Sequence, residues 1–136
     1  MKNDTGRAKC VSLTIRGFTS QAQEVADLIG VQSSHQGNVG ELVRPYVKTL
    51  LTRSYVQYTI EYSNEVALSE MLAPLIQKLG GTQNLIDVQG KVKAEFLELH
   101  FDLPSISSEF PQDGYFSNSD IQICSELNTS ISLGFF

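Results

Sequence analysis

FTSQAQEVADLIGV, residues 18–31, and FSNSDIQICSELNTSI, residues 116–131, are two renderings of one phrase. Each runs from an aromatic through a small hydroxyl residue into a short amphipathic helix and an apolar exit. Each also follows closely on an alternating strand. The chain therefore reads as two related strand–helix halves that share one core.

Before the first phrase, residues 9–16 alternate strictly. Val11, Leu13 and Ile15 point one way and Ser12, Thr14 and Arg16 the other, the signature of a half-buried strand. Gly17 ends it. Thr19 or Ser20 is the expected helix cap, with Gln23 placed to complete a box with Ser20. Ala22, Val25, Leu28 and Ile29 make the apolar stripe, and Gly30 stops the helix. In the second phrase Ser117 and Asp120 form the cap, and Ile121, Cys124 and Leu127 the stripe. Residues 129–136 then alternate again, and Ile131, Leu133 and Phe135 are expected to point into the core.

Between the phrases, residues 55–62 alternate with Val56, Tyr58, Ile60 and Tyr62 on one face. Asn64 is a plausible cap, with Glu65 at the positive end of the helix that follows. Leu68, Leu72, Leu75, Ile76 and Leu79 recur at helical spacing. Pro74 falls inside that pattern and should kink or break it, at about 3 kcal/mol in an ideal interior. Residues 94–103 are the clearest strand, with Leu97, Leu99, Phe101 and Leu103 inward. Residues 46–51 are mixed, consistent with an extra strand, and residues 85–92 suit a short strand or a loop. The predicted order is strand, helix, strand, helix, strand, helix, strand. Alternation rather than continuous apolar runs leaves one sheet face open. The expected fold is α+β, a two-layer sandwich with helices on one face of a mainly antiparallel sheet.

The 136 residues, 41% of them hydrophobic, suit a single domain with a real core, residues 1–7 being loose. A net charge of −5 and scattered Lys and Arg disfavour nucleic acid. No apolar run approaches the roughly 20 residues that span a bilayer. MKNDTGRAKC opens polar, without the apolar core of a signal peptide. The two cysteines, Cys10 and Cys124, are expected to be reduced thiols in a soluble cytoplasmic protein.

No motif for catalysis, metal or cofactor stands out. Glu98, His100 and Asp102 share the polar face of one strand, about 6–7 Å apart. Such a row could move a proton or hold a metal, but a solvated face with cross-strand partners is the better account. SSHQGNVG, residues 33–40, lacks the flanking strand, helix and Lys-Ser/Thr pair of a phosphate loop. Cys124 falls on an inward stripe and reads as packing. Cys10 beside Lys9 has at most a slightly lowered pKa. The two long irregular stretches, residues 31–46 and 104–115, are different, because loops of that length are usually functional or disordered. SSEFPQDGYF interleaves acids with aromatics, the composition of a loop that binds a basic protein surface. The candidate partner-binding residues are Glu109, Phe110, Asp113 and Tyr115, with His35, Glu41 and Tyr46 on the other stretch.

VSLTIRGFTSQAQEVADLIGVQSS, RSYVQYTIEYSNEVALSEMLAPLIQKL and FSNSDIQICSELNTSISLGFF together resemble a bacterial family of small domains of unknown function. Its members run strand, glycine turn, helix, Ser-containing middle strand, Leu-rich helix, and a closing helix and strand. They often lie beside toxin genes and look like immunity proteins. This chain departs at the middle strand, where the family tends to carry Trp and Val56 or Tyr58 stands here. The resemblance implies a non-enzymatic protein that neutralises a cognate toxin by covering a basic domain of it. It carries over no catalytic residue. The alternative expectation is a small-ligand or regulatory sensor domain.

Overall fold

The computed structural model describes residues 7–104 and 114–136. Lys9–Arg16 (β1) enters Ala22–Ile29 (α1), which returns as the short strand His35–Gly37 (β2). Tyr55–Tyr62 (β3) leads through a 3-10 turn, Leu68–Glu70, into Leu72–Lys78 (α2) and Thr82–Val92 (α3). Phe96–Leu103 (β4), Asn118–Leu127 (α4) and Ser130–Phe135 (β5) complete the chain. The five strands form one sheet in the order β2-β3-β1-β4-β5. All neighbours are antiparallel except β4 and β5, a parallel pair joined through α4.

Alternation decides the layering. Val11, Leu13 and Ile15 of β1, Val56 and Tyr58 of β3, and Leu97, Leu99, Phe101 and Leu103 of β4 all lie in one buried cluster. Val25 and Ile29 of α1, Leu75 of α2, Leu85 and Val88 of α3 and Leu127 of α4 complete it from the helix layer. The intervening strand residues form the open, polar face. The fold is α+β, as expected. Two tyrosine hydroxyls clasp the layers: Tyr58 donates to the Val31 carbonyl at 2.7 Å and Tyr62 to the Met71 carbonyl at 2.8 Å.

Several local expectations are corrected. Residues 85–92 belong to a helix, α3, because Leu85, Val88 and Val92 share one buried stripe. Residues 46–51 form no named strand; only the isolated bridge between Leu42 and Leu50 is present. Asn64 caps no helix, since the chain turns through residues 63–66 and the helical stretch begins after Ala67. Pro74 breaks nothing, because it is the third residue of α2, where its missing N–H has no intrahelical partner to lose. Gln21, not Thr19 or Ser20, is the cap residue of α1, and its side chain makes no capping bond. Asn38 Oδ1 takes that role by accepting the Ala22 N–H at 2.8 Å. The Ser117–Asp120 box is present as expected.

The largest correction concerns β5. Ile131, Leu133 and Phe135 lie on the helix side of the sheet but stay exposed, since β5 is an edge strand beyond the covered part of the layer. On α4 only Leu127 of the expected stripe is buried, and Ile121 is exposed. Leu28 of α1 is likewise exposed, Ala26 taking its place in the buried face. Residues 1–6 of the segment expected to be loose lie outside the described residues.

Candidate functional site

Between β2 and β3 the chain makes an antiparallel excursion over residues 40–51, here called the arm. Gly40 N–H reaches the Leu51 carbonyl at 2.9 Å, Leu51 N–H the Glu41 carbonyl at 2.7 Å, and Val43 N–H the Thr49 carbonyl at 2.9 Å. The tip is a turn closed by Val47 N–H to the Arg44 carbonyl at 3.3 Å, with Pro45 and Tyr46 at its centre. Pro45 suits the second position of such a turn. Tyr46 occupies the third with φ +67°, where a type II turn favours Gly. A side chain in that region costs roughly 1–2 kcal/mol. The result is a fully exposed Tyr46 at the tip, flanked by exposed Leu42, Val43 and Leu50.

The base of the arm is built to be firm. Leu51 Cδ1 lies over Gly37, where a Cβ would come within 2.5 Å of it. Val39 N–H is held by Ser54 Oγ at 2.9 Å, and the Asn38 N–H by the Glu41 carboxylate. Asn38 in turn caps α1, so the arm and the first helix share one anchor.

Beneath the arm, the open sheet face forms a groove of about 400 Å³, with Val43, Leu51 and Arg53 on one side and Arg16, Gln57, His100 and Ser132 among its lining. The polar side chains around the groove are internally paired. Arg16 bonds Glu98 and stands over the Phe96 ring, and Arg53 stacks on the same ring at 5.1 Å while facing Glu95 at 3.6 Å. Ser12 and Thr59 hydroxyls meet at 2.8 Å, and Gln57 Nε2 donates to Thr14 Oγ1 at 3.2 Å. Asp102, His100 and Ser132 form a chain: Oδ1 to Nε2 at 3.0 Å and Nδ1 to Oγ at 2.6 Å. Gly134 makes this possible, because a Cβ there would lie 2.4 Å from Asp102 Oδ1 and 3.1 Å from His100 Nε2.

The row of Glu98, His100 and Asp102 is therefore a face of cross-strand partners, with Arg7 completing Asp102 at 3.2 Å. The Asp–His–Ser chain resembles the relay that activates a hydroxyl in hydrolases. Ser132 N–H, however, faces β4 within the parallel ladder and is not free to hold an oxyanion. Among the described residues, no three His, Cys, Asp or Glu side chains are placed to hold a metal ion. Cys10 is not activated by Lys9: burial first, then Asp102 and Glu61, push its thiol up. Burial does the same to Cys124.

The candidate partner-binding residues scatter. Tyr46 stands at the tip of the arm. Glu41 is spent at the arm's base, where it holds Asn38. His35 is exposed on β2, opposite Gln57. Tyr115 is exposed on the segment entering α4, next to Phe116, whose ring packs edge-on against Phe101 at 5.1 Å on the helix side. Glu109, Phe110 and Asp113 lie outside the described residues. Sequence reasoning missed Leu42, Val43 and Leu50, and the signal was available: Leu42, Val43, Tyr46, Val47 and Leu50 recur in a stretch that also holds a proline.

Among the described residues no helix is long and apolar enough to cross a membrane. No protein-family model, no curated protein and no solved structure matches the chain.

Proposed function

We propose that this chain is a protein-binding domain that docks through the arm and performs no catalytic turnover. The observation that carries the reading is Tyr46, fully exposed and held at positive φ at the tip of a firmly anchored, apolar excursion. Strained backbone clusters at active sites, ligand clamps and switch regions, and Tyr is among the commonest interface anchors. Leu42 and Leu50, paired across the arm, add exposed apolar surface to it.

Charge narrows the partner. Residues 41–53 contain Arg44, Lys48 and Arg53 against a single acid, Glu41, so the rest of the chain is more acidic than the whole. The arm suits an apolar pocket with an acidic rim, while a basic toxin domain would be drawn to the remaining surface. Toxin neutralisation by direct cover is the biological form that the family resemblance implies, and a toxin bound through the arm would present an acidic-rimmed apolar pocket rather than a basic surface. The test is capture from the native cell with wild-type and Tyr46→Gly baits. A protein retained by the first and lost by the second supports the reading, and co-expression of that protein with either bait then tests neutralisation. Equal capture by both baits would remove the arm from the interface.

The groove supports a second reading, a small-ligand domain, because about 400 Å³ lies within the range of ligand pockets. Its two guanidinium groups favour a small anion. Thermal-shift titration with inorganic phosphate and simple carboxylates, on wild type and Arg53→Gln, decides it. No shift at millimolar concentration sinks that reading.

A further inference from the structure

We propose that β5 is a self-pairing edge, through which two copies of this chain join their sheets across a two-fold axis at Leu133. Ile131, Leu133 and Phe135 are 43%, 46% and 60% exposed, although their alternation is that of a buried face. SISLGF carries no charge and no proline, the devices by which sheet edges normally avoid pairing. The other edge, β2, is only three residues long.

The backbone fixes the register. Phe136 N–H bonds the Leu103 carbonyl at 3.1 Å, so the even-numbered residues turn their backbone groups toward β4. The N–H and C=O groups of Ile131, Leu133 and Phe135 therefore point off the free edge. These same residues carry the apolar side chains. In an antiparallel pair centred on Leu133, each Leu133 faces its counterpart, and each Ile131 faces the other copy's Phe135. All three pairs are of the hydrogen-bonded kind, and all six side chains fall on one face. A one-residue slip would lose both matches. The pattern is thus complementary to itself, which a second copy satisfies without any further partner. The pairing also closes, because it consumes the same edge of both copies.

The pair meets only along this edge and its three side chains, so the area it buries falls below the roughly 1,000 Å² that a stable specific interface clears. A weak, reversible dimer follows rather than an obligate one. Both copies are acidic, so added salt screens their repulsion and tightens the pair.

The test is sedimentation velocity of the 136-residue chain over a concentration series from micromolar to near millimolar, at low and high salt. A monomer–dimer equilibrium that strengthens with salt is expected. Leu133→Lys places two ammonium groups face to face at the axis and should abolish the dimer. Thermal melts establish that this exposed position leaves the fold intact, and Ile131→Lys is the second variant should Leu133→Lys melt early. A chain that stays monomeric throughout overturns the proposal. So does a dimer that survives both folded variants, or assembly into open-ended polymers. The proposal rests on β5 alone and stands or falls independently of the arm.

Discussion

At one edge of the sheet β2 offers three residues, with Leu51 of the arm seated on its Gly37. At the other, β5 offers six residues and a row of uncovered apolar side chains. Both edges come at the end of the same sequence phrase. β1 runs into α1 and out to β2, and β4 runs into α4 and out to β5. The halves differ in what surrounds them. β1 is the central strand, flanked by β3 and β4, and α1 buries Ala22, Val25, Ala26 and Ile29. Among the described residues β5 has a neighbour on one side only, and on α4 only Asp120 and Leu127 are buried. An alternating pattern states which face of a strand is apolar. It does not state whether anything covers that face.

The sharpest way to break this comparison is to truncate matched leucines. Leu13 of β1 is fully buried, and Leu133 of β5 is about half exposed. Leu13→Ala should cost about 2–5 kcal/mol by lost burial and cavity formation. Leu133→Ala should cost within about 1 kcal/mol in dilute solution, where the chain is monomeric. Denaturant melts of both variants measure the difference. Equal losses would mean that the second edge is core after all.

Much of the fold was legible because strand alternation survives in short windows. β1, β3 and β4 were readable from Val11–Leu13–Ile15, Val56–Tyr58 and Leu97–Leu99–Phe101 without knowledge of any neighbour. The capping box of Ser117 and Asp120 was readable because it is local. α3 was obscured by Gly90, which weakens a helical pattern by about 1 kcal/mol. The cap of α1 could not be read, since Asn38 lies 16 residues beyond the Ala22 it serves. The groove was legible only in part. Glu98, His100 and Asp102 were visible as a row, but their partners Arg16, Ser132 and Arg7 are brought by other segments.

Alkaline pH should loosen the clasp on the α1 side. Burial holds the Tyr58 hydroxyl up at about 12 against an ordinary 10.0, and that hydroxyl clasps the Val31 carbonyl after α1. With a raised value the folded chain keeps a proton that the unfolded chain loses. The contribution is complete below pH 10 and is lost as pH rises toward 12, on the order of 1–2 kcal/mol in all. Burial also raises Tyr62 and the two cysteine thiols, which add in the same direction. Tyr58→Phe should flatten the pH 10–12 part of the stability curve while costing about 1 kcal/mol at neutral pH for the lost bond. An unchanged alkaline slope in that variant would show that the clasp does not titrate with folding.

The two helix caps differ in the same way as the two edges, one long-range and one local. Ser117→Ala and Asn38→Ala should each cost about 0.5–2 kcal/mol. Hydrogen exchange separates them. The Ser117 variant should lose protection only in the first turn of α4. The Asn38 variant should lose it in the first turn of α1 and also at Gly40, Val43 and Leu51, whose amides form the arm. Arm amides that keep their protection in Asn38→Ala would mean that the arm stands without its shared anchor.

The smallest effect on stability carries the most about function. Tyr46 sits at φ +67°, where glycine meets no steric penalty and tyrosine does. Tyr46→Gly should therefore leave stability unchanged or raise it by up to about 1 kcal/mol, the relief being offset in part by the greater freedom of glycine in the unfolded chain. Ordinary truncation of a packed tyrosine does the opposite. The same substitution removes the one large aromatic from the arm's tip and should weaken partner binding by at least about 2 kcal/mol, near thirtyfold in Kd. Stability and binding thus move in opposite directions at one residue, as expected where strain is kept for recognition. A Tyr46→Gly variant that is less stable than wild type by more than about 1 kcal/mol would show that Tyr46 is packed in solution, and the arm would then be a closed edge rather than a docking element.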